Sequence, residues 1–332
     1  MKEFIGLAER GFIVFGLLYF TAALNFLGGD MQPPVDSILA AAAPPNESSP
    51  LLLAIQSGVL AVTLFLTCKR WQSVVYVAMR RKVLWAFMGL IVASVLWSAV
   101  PNFTLRRSLV LLGATFFGLY LAARYSLKEQ MRLLAWALGI AALLSVFFTL
   151  AFPSFAIETG EHEGAWRGIY AQKNVLARMM LLSAINFLLL ALDSLRYRYF
   201  VWAGFGLSVI LILLSTSKTA LVVLLTLLTL LPLFRALRWN YSVAVPLYII
   251  LLLLGGSVSL WLAANTEAVM SALGRDVTLT GRTGLWAFVV DKIWKHPWLG
   301  YGFKAFWRGM EGESADIWYD SYFMAPSGHN GY

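Results

Sequence analysis

Nine apolar runs, separated by short polar stretches, dominate the chain. They cover roughly residues 11–28, 51–67, 83–100, 108–123, 133–152, 175–192, 199–214, 219–234 and 243–262. A helix needs about 20 apolar residues to cross the hydrocarbon of a bilayer, with about 17 as the lower limit. Runs of this length and number leave too little polar sequence to cover a soluble core. Hydrophobic residues make up 60% of the chain and charged residues 13%, which points to a polytopic membrane protein. The stretch 199–234 is continuous enough to read as one helix. At ~1.5 Å per residue that helix would be ~54 Å long, thicker than a bilayer. The tetrapeptide "STSK" at 215–218 therefore predicts a break at a surface between two spans.

The net charge of +9 does not read as a nucleic-acid footprint, because the basic residues fall in short clusters between apolar runs. Placing the N-terminus in the cytoplasm puts Lys69, Arg70, Arg80, Arg81, Lys82, Arg124, Lys128, Arg132, Arg196 and Arg198 on the inner side, as the distribution of lysine and arginine in membrane proteins requires. The first outer loop, 29–50, then has acidic residues and prolines but no lysine or arginine. Residues 1–10 carry both signs of charge, and no cleavable signal is evident. The single cysteine, Cys68, excludes an internal disulfide and any cysteine-based metal site.

Against this polarity, the outer side retains a set of cations: Arg106 and Arg107, Arg167, Lys173, Arg178 one turn inside a span, Lys218, Arg275 and Arg282. Ionisable groups at membrane depth are costly and usually face a partner or a polar cavity, so the set predicts a pocket for an anion at the outer surface. The segment 283–295 reads as an interfacial helix. Leu285, Trp286, Val289, Ile293 and Trp294 share one side, Asp291, Lys292 and Lys295 lie elsewhere, and His296-Pro297 ends it. Arg282 at its start would add a planar fork to the helix's N-terminal amides, a phosphate site; pairing with lipid headgroups is the alternative. Lys173, Asn174 and Arg178 fall within about one turn of each other at the top of a span. Snorkelling explains a lysine there, but an asparagine at the lip requires a polar contact. Arg167 has Glu158, Glu161 and Glu163 nearby as alternative partners. His329, flanked by Gly328 and Gly331 and followed by Asn330, lies on the side of the cations and near neutral pH can accept a proton from a sugar hydroxyl. His296 reads as structural, and His162, among glutamates, as a poorer base. "LGYGF" at 299–303 reads as a turn with aromatic anchors. No D-x-D pair, phosphate-binding loop or dinucleotide fingerprint occurs, and the cytoplasmic segments are too short for a nucleotide-dependent domain.

The ordered pieces "LWSAVPNFTLRRSL" (96–109), "WRGIYAQKNVLA" (166–177), "LLSTSKTALVVLL" (213–225), "TLTGRTGLWAFVVDKIWKHPWLGYGF" (278–303) and "GHNGY" (328–332) resemble the O-antigen ligase and polymerase superfamily, in particular its exopolysaccharide-polymerase branch. The resemblance implies an all-α, polytopic helical bundle of the C-type glycosyltransferase kind. Residues 1–262 would form the bundle and 263–332 a periplasmic catalytic loop. It implies a bacterial inner-membrane enzyme that takes glycan from an undecaprenyl-pyrophosphate carrier on the periplasmic face, with no metal and no cofactor. Its other partners would be membrane lipids and polysaccharide-assembly proteins. By that similarity, Arg282 faces the pyrophosphate, His329 positions or deprotonates the acceptor hydroxyl, and Lys218 stands where arginine is common. Arg167, Lys173, Asn174, Arg178, Arg275 and Asn330 complete the expected substrate site. Family members continue past the final motif into further spans, so the chain reads as truncated before its closing helices. A ligase of the same superfamily, a transporter or flippase for an anionic lipid, and a membrane scaffold are the rival readings.

Overall fold

The computed structural model describes residues 2–28, 49–159, 162–193, 198–237, 282–308 and 312–317, with isolated residues between 242 and 265. Among the described residues there is no strand, only a single antiparallel bridge between Ile157 and Trp166. The helices are α1 (Lys2–Phe20), α2 (Pro50–Lys69), α3 (Trp71–Met79), α4 (Lys82–Ala93), α5 (Pro101–Arg124), α6 (Leu127–Ala151), α7 (Lys173–Asp193), α8 (Arg198–Leu214), α9 (Lys218–Leu237) and α10 (Arg282–Lys295). The fold is thus an all-α, polytopic membrane bundle.

Four of these helices are long and apolar enough to cross a membrane: Pro50–Lys69, Pro101–Arg124, Leu127–Ala151 and, within α7, Lys173–Leu192. Shorter apolar helices cover Lys82–Trp97, Arg198–Leu214 and Lys218–Leu231. The predicted break at 215–218 is present, since α8 ends at Leu214 and α9 opens at Lys218. The first expected span needs correcting. It does not run through 11–28, because α1 ends at Phe20 and a 3-10 turn follows at Asn25–Gly28. The cause is local: Ala22 adopts φ 61°, and the Thr21 hydroxyl turns back on Leu17 O at 2.8 Å. The last expected span, 243–262, and the expected boundary at 262/263 fall mostly outside the described residues.

Two cores hold the bundle together. The larger joins α1, α6, α7, α8 and α9 around Ala137, Ala141, Ala177, Ala184, Met180 and Leu211. Small side chains let helix backbones approach closely, the main source of cohesion where lipid removes the hydrophobic drive. The α7–α8 pair shows this: a Cβ at Gly204 would lie 2.6 Å from the Phe187 ring, and Ser208 Oγ lies 2.8 Å from Ser183 Oγ in the buried seam. The second core packs Ile13 of α1 and Val74 of α3 against Phe117 and Tyr120 of α5. At its edge one carboxylate oxygen of Glu9 accepts from Tyr120 Oη at 2.6 Å, Arg124 Nε at 2.9 Å and Tyr125 Oη at 3.0 Å.

The expected helix forms, as Arg282–Lys295. Phe288 and Val289 pack with Phe306 and Trp307 on Ile317, whereas Ile293 and Trp294 are exposed. Lys292, expected on the polar side, is only 6% exposed, because Asp316 and Glu313 reach its ammonium. The hydrogen bond to Asp316 raises the Lys292 pKa against the opposing effect of burial, and the same bond lowers that of Asp316. His296 stacks edge-on to Tyr301 with centroids 4.5 Å apart.

Candidate functional site

The helices alternate in direction, so the starts of α5, α7 and α9 and the ends of α6 and α8 share one end of the bundle. The segment between α6 and α7 is folded onto that end. It begins with a single helical turn, Pro153–Ala156, then doubles back through the Ile157–Trp166 bridge. Trp166 N donates to Leu214 O at 3.0 Å, which fastens the segment to the end of α8. Gly168 has φ 59°, and a Cβ there would come within 2.5 Å of Ser145. Only glycine fits this left-handed turn against α6.

Arg167 lies under this turn, 4% exposed. Its Nε donates to Phe155 O at 2.9 Å and its Nη1 to Ala171 O at 3.3 Å. Burial pushes its guanidinium below its ordinary value, and Glu158 opposes that shift. The guanidinium thus ties both ends of the loop together. Glu158 also caps a helix. Its Oε1 accepts Lys173 N–H at 2.9 Å, satisfying one of the unpaired amides at the start of α7 and complementing its dipole.

Two of the expected polar residues then contact the turn before α9. Lys173 Nζ donates to Thr216 Oγ1 at 3.3 Å. Ser217 Oγ donates to Asn174 Oδ1 at 3.1 Å. Lys218 follows directly and opens α9 with its side chain exposed. The "QKN" and "STSK" pieces, more than forty residues apart, therefore form one rim. Thr216 adopts φ 52°, a left-handed conformation that is rare for a β-branched residue and costs about 1–3 kcal/mol. Its hydroxyl is held toward Lys173 in spite of that strain. Arg178, one turn down α7, is exposed and turns its Nε back to Asn174 O at 3.3 Å.

Arg282 is the first residue of α10, which agrees with the expected helix start; its side chain is outside the described residues, as are Arg275, His329 and Asn330 altogether. Thr216 and Ser217 were not singled out by sequence reasoning, and Glu158 was read only as a possible partner of Arg167. The asparagine at the lip of a span was the available signal, because it demanded a neutral polar partner and Ser217 supplies one.

Residues 203–332 match the family described as O-Antigen ligase. The chain is 25% identical over 256 residues to the "Exopolysaccharide production protein ExoQ" of Rhizobium meliloti (strain 1021), an alignment covering 74% of this chain and 57% of that protein. It is 26% identical over 169 residues to the "General O-oligosaccharyltransferase" of Acinetobacter baylyi, covering 46% of this chain and 29% of that one. The chain thus spans less than two thirds of either relative's length. No solved structure matches it. The resemblance read from the ordered motifs is borne out by the family match over residues 203–332 and by the two relatives.

Proposed function

We propose that this chain acts as an inner-membrane glycosyltransferase that polymerises exopolysaccharide or O-antigen repeat units from an undecaprenyl-pyrophosphate carrier on the periplasmic face. The observation that carries the reading is the shared rim: Lys173 and Asn174 of α7 tied to Thr216 and Ser217, with Lys218 beside them. The opposite end of the bundle carries Arg70, Arg80, Arg81, Lys82 and Arg124. Enrichment of lysine and arginine on the cytoplasmic side supports an outward-facing rim.

In the proposed reaction an acceptor hydroxyl oxygen attacks the anomeric carbon from the face opposite the pyrophosphate. The bond from that carbon to the phosphate oxygen breaks, undecaprenyl pyrophosphate leaves, and His329 takes the hydroxyl proton. The configuration at the anomeric carbon inverts. Lys173, Lys218 and Arg282 oppose the negative charge that develops on the leaving group, where fixed cations gain most in the transition state. Arg178 and Arg275 extend the positive surface, and Asn174 and Asn330 offer neutral hydrogen bonds to the glycan. Arg167 acts from below by holding the loop that presents Lys173.

The printed name of the Acinetobacter relative supports a second reading, transfer of a finished glycan to protein or to another acceptor by the same site. The two differ in acceptor, not in the handling of the carrier. The test is polymer formation by the full-length protein in a deletion strain. His329→Ala and Arg282→Ala should abolish polymer at unchanged protein levels. Polymer from both variants would overturn the transferase reading. Movement of lipid-linked anion across proteoliposomes without a new glycosidic bond would point to a transporter instead.

A further inference from the structure

Among the described residues, the loop module that follows α9 is hydrogen-bonded to the bundle through its 299–303 turn. The turn at 299–303 sits on the segment joining α4 to α5, about two hundred residues earlier in the chain. Trp97 Nε1 donates to Leu299 O at 2.8 Å, and Ala99 N donates to Tyr301 O at 3.1 Å. Phe303 N donates to Ser94 Oγ at 3.0 Å, and Thr104 Oγ1 donates to Phe303 O at 3.2 Å. Ser98 Oγ, 2.6 Å from Thr104 Oγ1, holds that hydroxyl in place. Gly302, at φ 95°, lies so close that a Cβ would meet Ser98 Cα at 2.8 Å.

These contacts read both the amide and the carbonyl of Phe303, so they fix register as well as proximity. The turn is itself coupled to α10. Tyr301 Oη donates to Lys292 O at 3.1 Å, the Tyr301 ring packs on His296 and Phe306, and Lys292 is held by Asp316. A helix of 14 residues held at its C-terminal end by such a pin transmits any slip of the turn to its first residue.

We propose that Ser94, Trp97 and Thr104 are positioning residues for the transfer reaction: they pin the 299–303 turn and so set where α10 presents Arg282 relative to the rim of Lys173 and Lys218. This rests on the transferase reading above. The side chains involved are neutral donors and acceptors with no chemistry of their own to lend the reaction, and they match groups on backbone atoms of the turn. That arrangement is built to place a loop.

The test uses full-length protein in a deletion strain and the same protein purified in detergent. Two readouts are taken, polymer formed per unit of membrane-inserted protein and hydrogen exchange of the 299–305 backbone. Trp97→Phe keeps an aromatic ring and loses the N–H; Thr104→Val keeps the shape and loses the hydroxyl. Each should speed exchange of the turn about five- to tenfold and lower polymer yield by a similar factor. Thr104→Ser, which keeps Oγ, should recover both. Unchanged exchange in Trp97→Phe and Thr104→Val overturns the pin. Faster exchange with full polymer yield overturns the positioning role while leaving the transferase reading standing. Absence of polymer from the unmodified protein overturns the transferase reading and the positioning role with it.

Discussion

The two ends of the bundle are tied together by different contacts. At the end where α1 begins, Glu9 is 11% exposed at its side chain and one of its oxygens collects Tyr120, Arg124 and Tyr125. Charge there is matched by charge inside the protein, through one carboxylate oxygen. At the other end Lys173 donates to a threonine hydroxyl and Asn174 accepts from a serine. The first arrangement fastens α1 to α5, and the second joins the start of α7 to the turn before α9.

Substitutions should separate these roles. The largest effects belong to the proposed reacting groups: Arg282→Ala and His329→Ala should each cut polymer formation by about a hundredfold or more, measured at matched protein levels. Lys218→Ala should follow with about a tenfold loss, and Lys218→Arg should retain most of the rate, because the fork offers at least as good a phosphate contact as the ammonium. Full activity of Lys218→Ala would detach Lys218 from the leaving group. Glu9→Gln should do the reverse. It should destabilise the protein by about 1–3 kcal/mol, read as a lower melting temperature in detergent, while activity per folded molecule stays unchanged. A lost activity with intact stability would mean that the end holding Glu9 takes part in catalysis.

The smallest effect is on pH dependence in the loop module. Asp316 is shifted down by Lys292, so its contribution is present above the ordinary aspartate range and is lost as pH falls through its depressed value. Lys292 is shifted up, so its contribution is present below the ordinary lysine range and is lost as pH rises through its raised value. Hydrogen exchange around 313–317 should therefore be flat near neutrality and speed up only at both extremes. A step near pH 6 to 7 would require another titrating group.

Much of this was legible in the residues. Apolar runs and the "STSK" break gave the helices and the turn between α8 and α9 because length and hydrophobicity act locally. Asn174 at a membrane lip pointed to a polar neighbour. The helix start at Arg282 followed from local signals as well. Pairings between distant segments were not legible. Nothing local in Trp97 or Thr104 says that their partners are Leu299 and Phe303, because those contacts are read on backbone atoms that every residue has. The burial of Lys292 escaped for a related reason. Lys292 scores as polar on its own helix, and only Asp316 and Glu313, a loop away, make its burial tolerable. The end of α1 escaped because a left-handed alanine at 22 has no signature of its own.

The central claim is that the rim formed by Lys173, Asn174 and Lys218 engages a diphosphate. It is tested most directly by titrating farnesyl pyrophosphate, a soluble isoprenyl diphosphate probe, against the full-length protein in nanodiscs, alongside Lys173→Ala and Lys218→Ala. The account predicts saturable binding that each substitution weakens about tenfold, with the monophosphate binding less well. Equal affinity in all three proteins would contradict it.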